Sequence, residues 1–298
     1  MTKAKAGVAR IGKLVVIGVG LIGGSFSLAL KAANAVQHVV GIGRTQKNLD
    51  LATERGVIDE ASQDAAAAVR GADLVLIATP VGQMPEVMAQ IAPVLGRNTI
   101  ITDGGSTKQD VVAYAKRFLG EHFERFVPSH PIAGTEKSGA GAAFPELFRD
   151  RTVILAPQVE NQPTAVRAVR TAWEVCGARV IELEARRHDE IFAAVSHLPH
   201  VVAFALVSML ARRRDAGELL GHSGAGLRDT VRIAGSSPEM WRDICVANRE
   251  ALIGVLDDYI DELGAARAAI DNGDGAALAE MFERARVARS RWLIKEQA

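Results

Sequence analysis

The run VVIGVGLIGGSFSLAL, Val15 to Leu30, carries no charge and admits few folds. A membrane-spanning helix needs about 20 consecutive apolar residues. This run stops short of that and holds Gly18, Gly20, Gly23 and Gly24, which weaken a helix interior. A secretory signal needs a basic start, an apolar core and a small-residue cleavage region. The start MTKAKAGVARIGK is basic, but no polar cleavage region follows Leu30. The remaining reading is a nucleotide-binding turn, with a β-branched strand at Lys13 to Ile17, a tight turn Gly18-x-Gly20-x-x-Gly23 and an apolar helix from Ser25 to Ala33. Gly18 permits the turn, Gly20 lets backbone approach a pyrophosphate, and Gly23 lets helix close on strand. Leu21 and Ile22 of the turn, with the helix N-terminus beyond them, offer N–H groups and a partial positive charge to phosphates.

The pattern around that turn sets the fold class. Residues 1–185 alternate short apolar runs with helical patterns, the mark of a parallel sheet covered by helices. Strands are expected at Leu14–Ile17, Val39–Ile42, Leu74–Ala78, Thr99–Thr102, Phe126–Val127, Thr152–Ala156 and Arg179–Leu183. From Arg186 onward helical patterns such as HDEIFAAVSHLPHVVAFALVSMLARR and ANREALIGVLDDYIDELGAARAAI take over. The expectation is an α/β protein, with a Rossmann-type, mostly parallel sheet over 1–185 and an all-helical domain over 186–298. Those helices are too apolar for a small domain to cover alone, which asks for a second subunit. No further α/β pattern precedes Ala298, so no appended regulatory domain is expected.

Charge narrows the partners. Thirty-five basic and 35 acidic residues give a formal net charge of zero. No basic footprint for nucleic acid and no basic amphipathic helix for a membrane surface is present in the sequence. Cys176 and Cys245 lie far apart without metal spacing and read as reduced thiols of a cytoplasmic protein.

At the end of the second strand, in VVGIGRTQK, a dinucleotide site that uses NAD carries an acid for the ribose hydroxyls. Here Gly43 stands in that place, followed by Arg44, Thr45 and Lys47. These groups suit a 2′-phosphate, so NADP is the preferred cofactor with NAD possible, although an exposed Arg44 would also tolerate either.

Three later stretches carry the chemistry: TDGGSTK (102–108), PSHPIAGTEKSG (128–139), and SHLPH (196–200) with GLRDTVRIAGSSPEMW (226–241). The first two follow strands and so place polar groups at the carboxyl edge of the sheet, where ligands bind in such folds. With GVGLIGGS and ATPV (Thr79, Pro80), these motifs resemble the prephenate/arogenate dehydrogenase family of tyrosine biosynthesis over nearly the whole chain. The resemblance implies that His130 accepts the proton of the substrate's ring hydroxyl, and that Ser106 hydrogen-bonds the same hydroxyl and the histidine. It implies that Arg232 holds a substrate carboxylate, that Thr135, Glu136, Ser196, His200 and Trp241 line or gate the pocket, and that the helical domain dimerises.

General chemistry agrees with these roles. A hydride leaves a carbinol carbon readily only when the hydroxyl proton leaves with it, and neutral imidazole suits that task. Loss of CO2 makes the ring aromatic and supplies the driving force, so no metal is required. An arginine fork grips a carboxylate bidentately, as a lysine does not. Blander readings stand beside these: Arg228 and Arg232, spaced i, i+4 around Asp229, also fit a solvated helix face, and Trp241 fits a core. His197 and His200 have metal-like spacing, but Pro199 lies between them and no further ligands lie near, so a metal is not expected. Two other classes stay open, a non-catalytic dinucleotide-binding redox sensor and a β-hydroxyacid dehydrogenase. The second relies on a helical-domain lysine, and no lysine lies between Lys137 and Lys295. A sensor needs neither Ser106, His130 nor Arg232.

Overall fold

The computed structural model describes residues 10–135 and 137–297, the side chains of 294–297 excepted. Glu136, assigned above to the substrate pocket, lies outside them. By packing, the chain divides into two compact units, Met1–Arg249 and Glu250–Ala298.

The first unit opens with strands β1 (Ile11–Ile17), β2 (Val36–Ile42), β3 (Glu60–Ser62), β4 (Leu74–Ile77), β5 (Ile100–Asp103) and β6 (Phe126–Val127). All pair in parallel in the order β3-β2-β1-β4-β5-β6. Between them run helices α1 (Leu21–Ala32), α2 (Gln46–Glu54), α3 (Ala65–Ala68), α4 (Met84–Ile91) and α5 (Gln109–Phe118). A central parallel strand is covered on both faces and so reads as a continuous apolar run. In β1, Leu14 and Val16 pack with Phe26, Leu30 and Trp173 on one face, while Val15 and Ile17 pack with Val40, Met84 and Met88 on the other. The strand order reverses between β1 and β4, which opens the crevice that ligands use in sheets of this kind.

A second sheet of three strands follows: β7 (Ser129–Pro131), β8 (Thr152–Leu155) and β9 (Arg179–Glu182), with α6 (Pro163–Val175) joining the last two. Its β7 runs antiparallel to β8, and β8 runs parallel to β9. Sequence periodicity misses β3 and β7 because three residues are too few to show alternation. His130, expected only to follow a strand, therefore sits within one, opposite Ile154. The first helix likewise starts at Leu21 rather than Ser25. Gly23 weakens that turn but is demanded by packing, since a Cβ there would lie 2.3 Å from the Gly18 carbonyl oxygen.

The unit ends in α7 (Ala185–Phe192), a π-helical turn (Ala193–His197), α8 (Leu198–Ala211), α9 (Ala216–Gly221), α10 (Ala225–Val231) and α11 (Pro238–Ala247). Pro199 lies in the first turn of α8 and has no N–H for an upstream carbonyl, which accounts for the loosened turn before it. The run Ala185–Ala211 is long and apolar enough to cross a membrane by composition, and 22% of its most apolar window is buried. Its polar residues nevertheless tie it to the sheet: Asp189 accepts the backbone N–H groups of Lys108 and Gln109 at 2.8 Å each, capping α5. Residues 186–249 thus pack in one unit with the sheet. The second unit holds α12, which starts at Arg249 and runs to Asp271, and α13 (Gly275–Gln297).

Candidate active site

The glycine turn builds a cradle. Gly18 has φ +101°, and a Cβ on it would lie 2.5 Å from the Ala78 carbonyl oxygen, so only glycine fits. Gly20 faces open space instead, with nothing within 4 Å of where its Cβ would stand. It is the N-cap of α1 and offers no side-chain acceptor, which leaves the first N–H groups of the helix, at Leu21 to Gly23, to a ligand. Thr79, after β4, adds a buried hydroxyl that has no partner among the described residues, and half-buried Pro80 follows it. Open space, uncapped amides and an orphaned hydroxyl together fit a dinucleotide phosphate bridge.

Arg44 and Thr45 are exposed just past β2. The Arg44 guanidinium lies 3.6 Å from Glu239 Oε1 on α11, and Gln83 Nε2 donates to the same oxygen at 3.4 Å. An acid missing from the end of β2 therefore reappears beside Arg44 from a distant stretch of sequence. Nothing in the local motif announces it.

His130 is buried at the heart of the site. Its Nδ1 lies 2.8 Å from His188 Nε2, and His188 Nδ1 lies 2.8 Å from Asp189 Oδ1. A carboxylate only accepts, which sets both tautomers in turn. His188 gives its Nδ1 proton to Asp189 and accepts on Nε2; His130 gives its Nδ1 proton to His188. The lone pair of His130 is thereby left on Nε2. Burial pushes the His130 pKa well below the ordinary 6.5, and the nearby His188 and Lys108 push the same way. Burial also lowers His188, against the opposing pull of Asp189. For Asp189 burial raises the pKa, but the hydrogen bonds from His188, Gln109 and Lys108 outweigh it and hold the carboxyl below its usual range. Phe192 closes the site with its ring 4.9 Å from His130 and 4.6 Å from His188.

A buried ion pair fixes the strand that carries His130. Lys108 Nζ donates to Asp103 Oδ2 at the end of β5 and, at 2.8 Å, to the Ser129 carbonyl on β7. Asp103 Oδ1 accepts the Ser129 N–H at 2.9 Å, and Trp173 Nε1 donates to Ser129 Oγ at 3.1 Å. Breaking one side of such a pair leaves a buried charge, typically at about 3–5 kcal/mol. Ser106 lies half-buried in the loop that Asp103, Lys108 and Asp189 pin down. Among the described residues its hydroxyl makes no hydrogen bond to His130, whose partner is His188.

The residues expected from the helical segment gather next door. His200 stacks on Trp241 with ring centroids 3.5 Å apart, and its Nδ1 donates to the Ser196 carbonyl at 2.8 Å. Burial lowers the His200 pKa, the bond to Ser196 opposes this, and the charge of Arg232 lowers it further. Arg232 is exposed at the start of a 3-10 turn, Arg232–Gly235. Thr135 is exposed too, and lines a cavity of about 320 Å³ with Phe144, Glu146, Arg149 and Arg151. His188, Asp189, Lys108 and Asn248 escape sequence reading. The adjacent His-Asp of RHDEIF is the signal available, and it sits inside an otherwise ordinary helical pattern.

Comparison with known proteins adds independent findings. A family model described as the prephenate dehydrogenase nucleotide-binding domain matches residues 26–182, and one described as the prephenate dehydrogenase dimerization domain matches 184–284. A cyclohexadienyl dehydrogenase of Zymomonas mobilis is 38% identical over 278 residues, 93% of this chain and 94% of that protein. A prephenate dehydrogenase of Bacillus subtilis is 34% identical, over 92% of this chain and 74% of its own length. Among solved structures, prephenate dehydrogenase from Aquifex aeolicus, in complex with hydroxyphenyl propionate and NAD+, superposes with a TM-score of 0.87. It is 31% identical, with 95% of this chain and 98% of that chain covered. Synechocystis arogenate dehydrogenase follows at a TM-score of 0.76 and 28% identity, over 94% and 99% of the two chains.

Proposed function

The chain belongs to the prephenate dehydrogenase family, and on that premise we propose that His130 is the general base of its reaction, aimed by His188 and Asp189. The chain is an oxidoreductase for NAD(P)-dependent oxidative decarboxylation of prephenate, arogenate or both. The sensor and β-hydroxyacid dehydrogenase alternatives are not favoured by these relatives.

When bound, the nicotinamide ring supplies the hydride acceptor. Gly18, Gly20, Leu21, Ile22 and Gly23 hold the phosphate bridge, with Thr79 and Pro80 beside it. His130 Nε2 takes the ring-hydroxyl proton as hydride leaves the same carbon. The positive charge that forms on His130 is met through His188 by the Asp189 carboxylate, so the base costs less to charge than an isolated buried imidazole. Ser106 orients the hydroxyl. Arg232 grips the side-chain carboxylate, and Thr135, Glu136, Ser196, His200 and Trp241 shape or gate the pocket.

NADP is the preferred cofactor in this reading, with Arg44 and Thr45 on its 2′-phosphate and Glu239 competing for Arg44. The functional boundary lies at residue 185, with the substrate contributed to from 186 onward. Two copies associate through the helical part, burying apolar side chains such as Val195 (66% exposed), Ile260 (54%) and Phe282 (62%) that one chain leaves uncovered. The substrate is a small molecule, and the reading places the enzyme in the cytoplasm.

The observation that carries the proposal is the Asp189–His188–His130 chain, which leaves a basic lone pair on a neutral buried ring. Initial rates with prephenate and arogenate, each against NADP and NAD, test it. The expected result is turnover of at least one substrate and a higher kcat/KM with NADP. No turnover in any of the four combinations contradicts the proposal.

A further inference from the structure

His197 is 1% exposed in the π-helical turn, and its Nδ1 lies 3.0 Å from Asn248 Nδ2. The same Asn248 nitrogen donates to the Asp189 carbonyl at 2.8 Å. A carbonyl requires a donor, so Nδ2 is the amide nitrogen, and its second proton points to His197. His197 Nδ1 is therefore an acceptor and the ring proton sits on Nε2. Burial holds the His197 pKa at about 4, so the ring stays neutral near neutral pH. That Nε2–H is buried and has no hydrogen-bond partner among the described residues. Trp241 Nε1–H is orphaned in the same way, with its ring centroid 6.0 Å from that of His197.

A buried donor left unpaired costs about 1–3 kcal/mol, and native folds keep few of them. Two at one place, beside the His200–Trp241 stack and within the electrostatic reach of His130, His188 and His200, point to an acceptor that arrives with a ligand. We propose that His197, locked by Asn248 with its proton on Nε2, is a substrate-binding donor to a carboxylate oxygen of the substrate, with Trp241 Nε1–H alongside. This rests on the reading of the site as the place where a cyclohexadiene carboxylate binds. A carboxylate matches the donors because it accepts without offering a proton of its own, whereas a water there would leave one of its protons seeking an acceptor.

The test uses the full-length protein labelled with ¹⁵N-histidine and saturated with cofactor, with hydroxyphenyl propionate as the probe. His197 is assigned by its loss in His197→Phe. The free enzyme should show His197 protonated on Nε2, and the probe should shift that signal. Shifts at His130 or His200 with none at His197 overturn the inference and leave the reading of the site standing. Absence of any histidine response overturns both. Kinetics supply the second arm: His197→Phe removes the donor but keeps a ring, and should raise substrate KM about tenfold or more while kcat changes little. Asn248→Asp accepts from Nδ1 and so moves the proton away from Nε2, and should raise KM with His197 itself intact. An unchanged KM with a lowered melting temperature in His197→Phe assigns His197 to packing and overturns the inference.

Discussion

His130 and His197 are the same residue type, both buried, both held through Nδ1 and both neutral, yet their ring protons sit on opposite nitrogens. Behind His130 the hydrogen bonds end on the Asp189 carboxylate, which draws every proton toward itself and leaves Nε2 basic. Behind His197 stands the amide of Asn248, which gives a proton and turns Nε2 into a donor. What a buried histidine does is set by the group at the far end of its hydrogen bonds. Nothing in the two motifs, SHP and SHLPH, announces on which ring nitrogen the proton sits.

Removing the rings at the two ends separates them most strongly. His130→Asn should lower kcat by about 10²–10⁴-fold, the usual worth of a positioned base, with cofactor affinity nearly intact. A variant that keeps a tenth of the kcat would reduce the two histidines to the same kind of residue. Steady-state kinetics together with a cofactor titration decide it.

Changing the far end of the chain tests the comparison at its root. Asp189→Asn keeps the shape, but its amide allows the tautomers of His188 and His130 to reverse. Loss of an outer partner of this kind commonly costs about 10–100-fold, here expected in kcat rather than in cofactor KM. Asp189 also caps α5, so a fall in melting temperature accompanies it. A lowered melting temperature with unchanged kcat would leave Asp189 as a cap alone.

How much of this was legible follows the range over which each feature is set. The glycine turn, the central strands and the change to helices are written locally, in glycine spacing and apolar runs. The short strands β3 and β7 are not, because neighbours rather than periodicity impose them. The same holds in the site. His130, Ser106, His200, Arg232 and Trp241 stand out through the motifs of the resemblance. His188 gains meaning only when a helix more than 50 residues on in sequence brings it against His130, and Asn248 only when the fold sets it against His197. Glu239 is hidden in the same way, since its relation to Arg44 spans the unit.

The smallest effect lies at the surface, where partners should matter least. Arg44 and Glu239 are 72% and 45% exposed, and such pairs are worth about 0–1 kcal/mol. Arg44→Ala should raise KM for NADP by up to about fivefold, the kinetic equivalent of the top of that range, and leave KM for NAD unchanged. Glu239→Gln, by freeing Arg44, should move NADP the other way. Equal changes for both cofactors would take Arg44 out of 2′-phosphate recognition.

The most direct measurement is the pH dependence of kcat/KM, which reports ionisation of the free enzyme. Protonated His130 cannot accept the hydroxyl proton, so activity should rise with pH through its pKa. Because burial holds that pKa below 6.5, the acid limb should have its midpoint below 6.5 and be flat through neutrality. The residual activity of His130→Asn should lack this limb. An acid limb that survives unchanged in His130→Asn would contradict the assignment of His130 as the base.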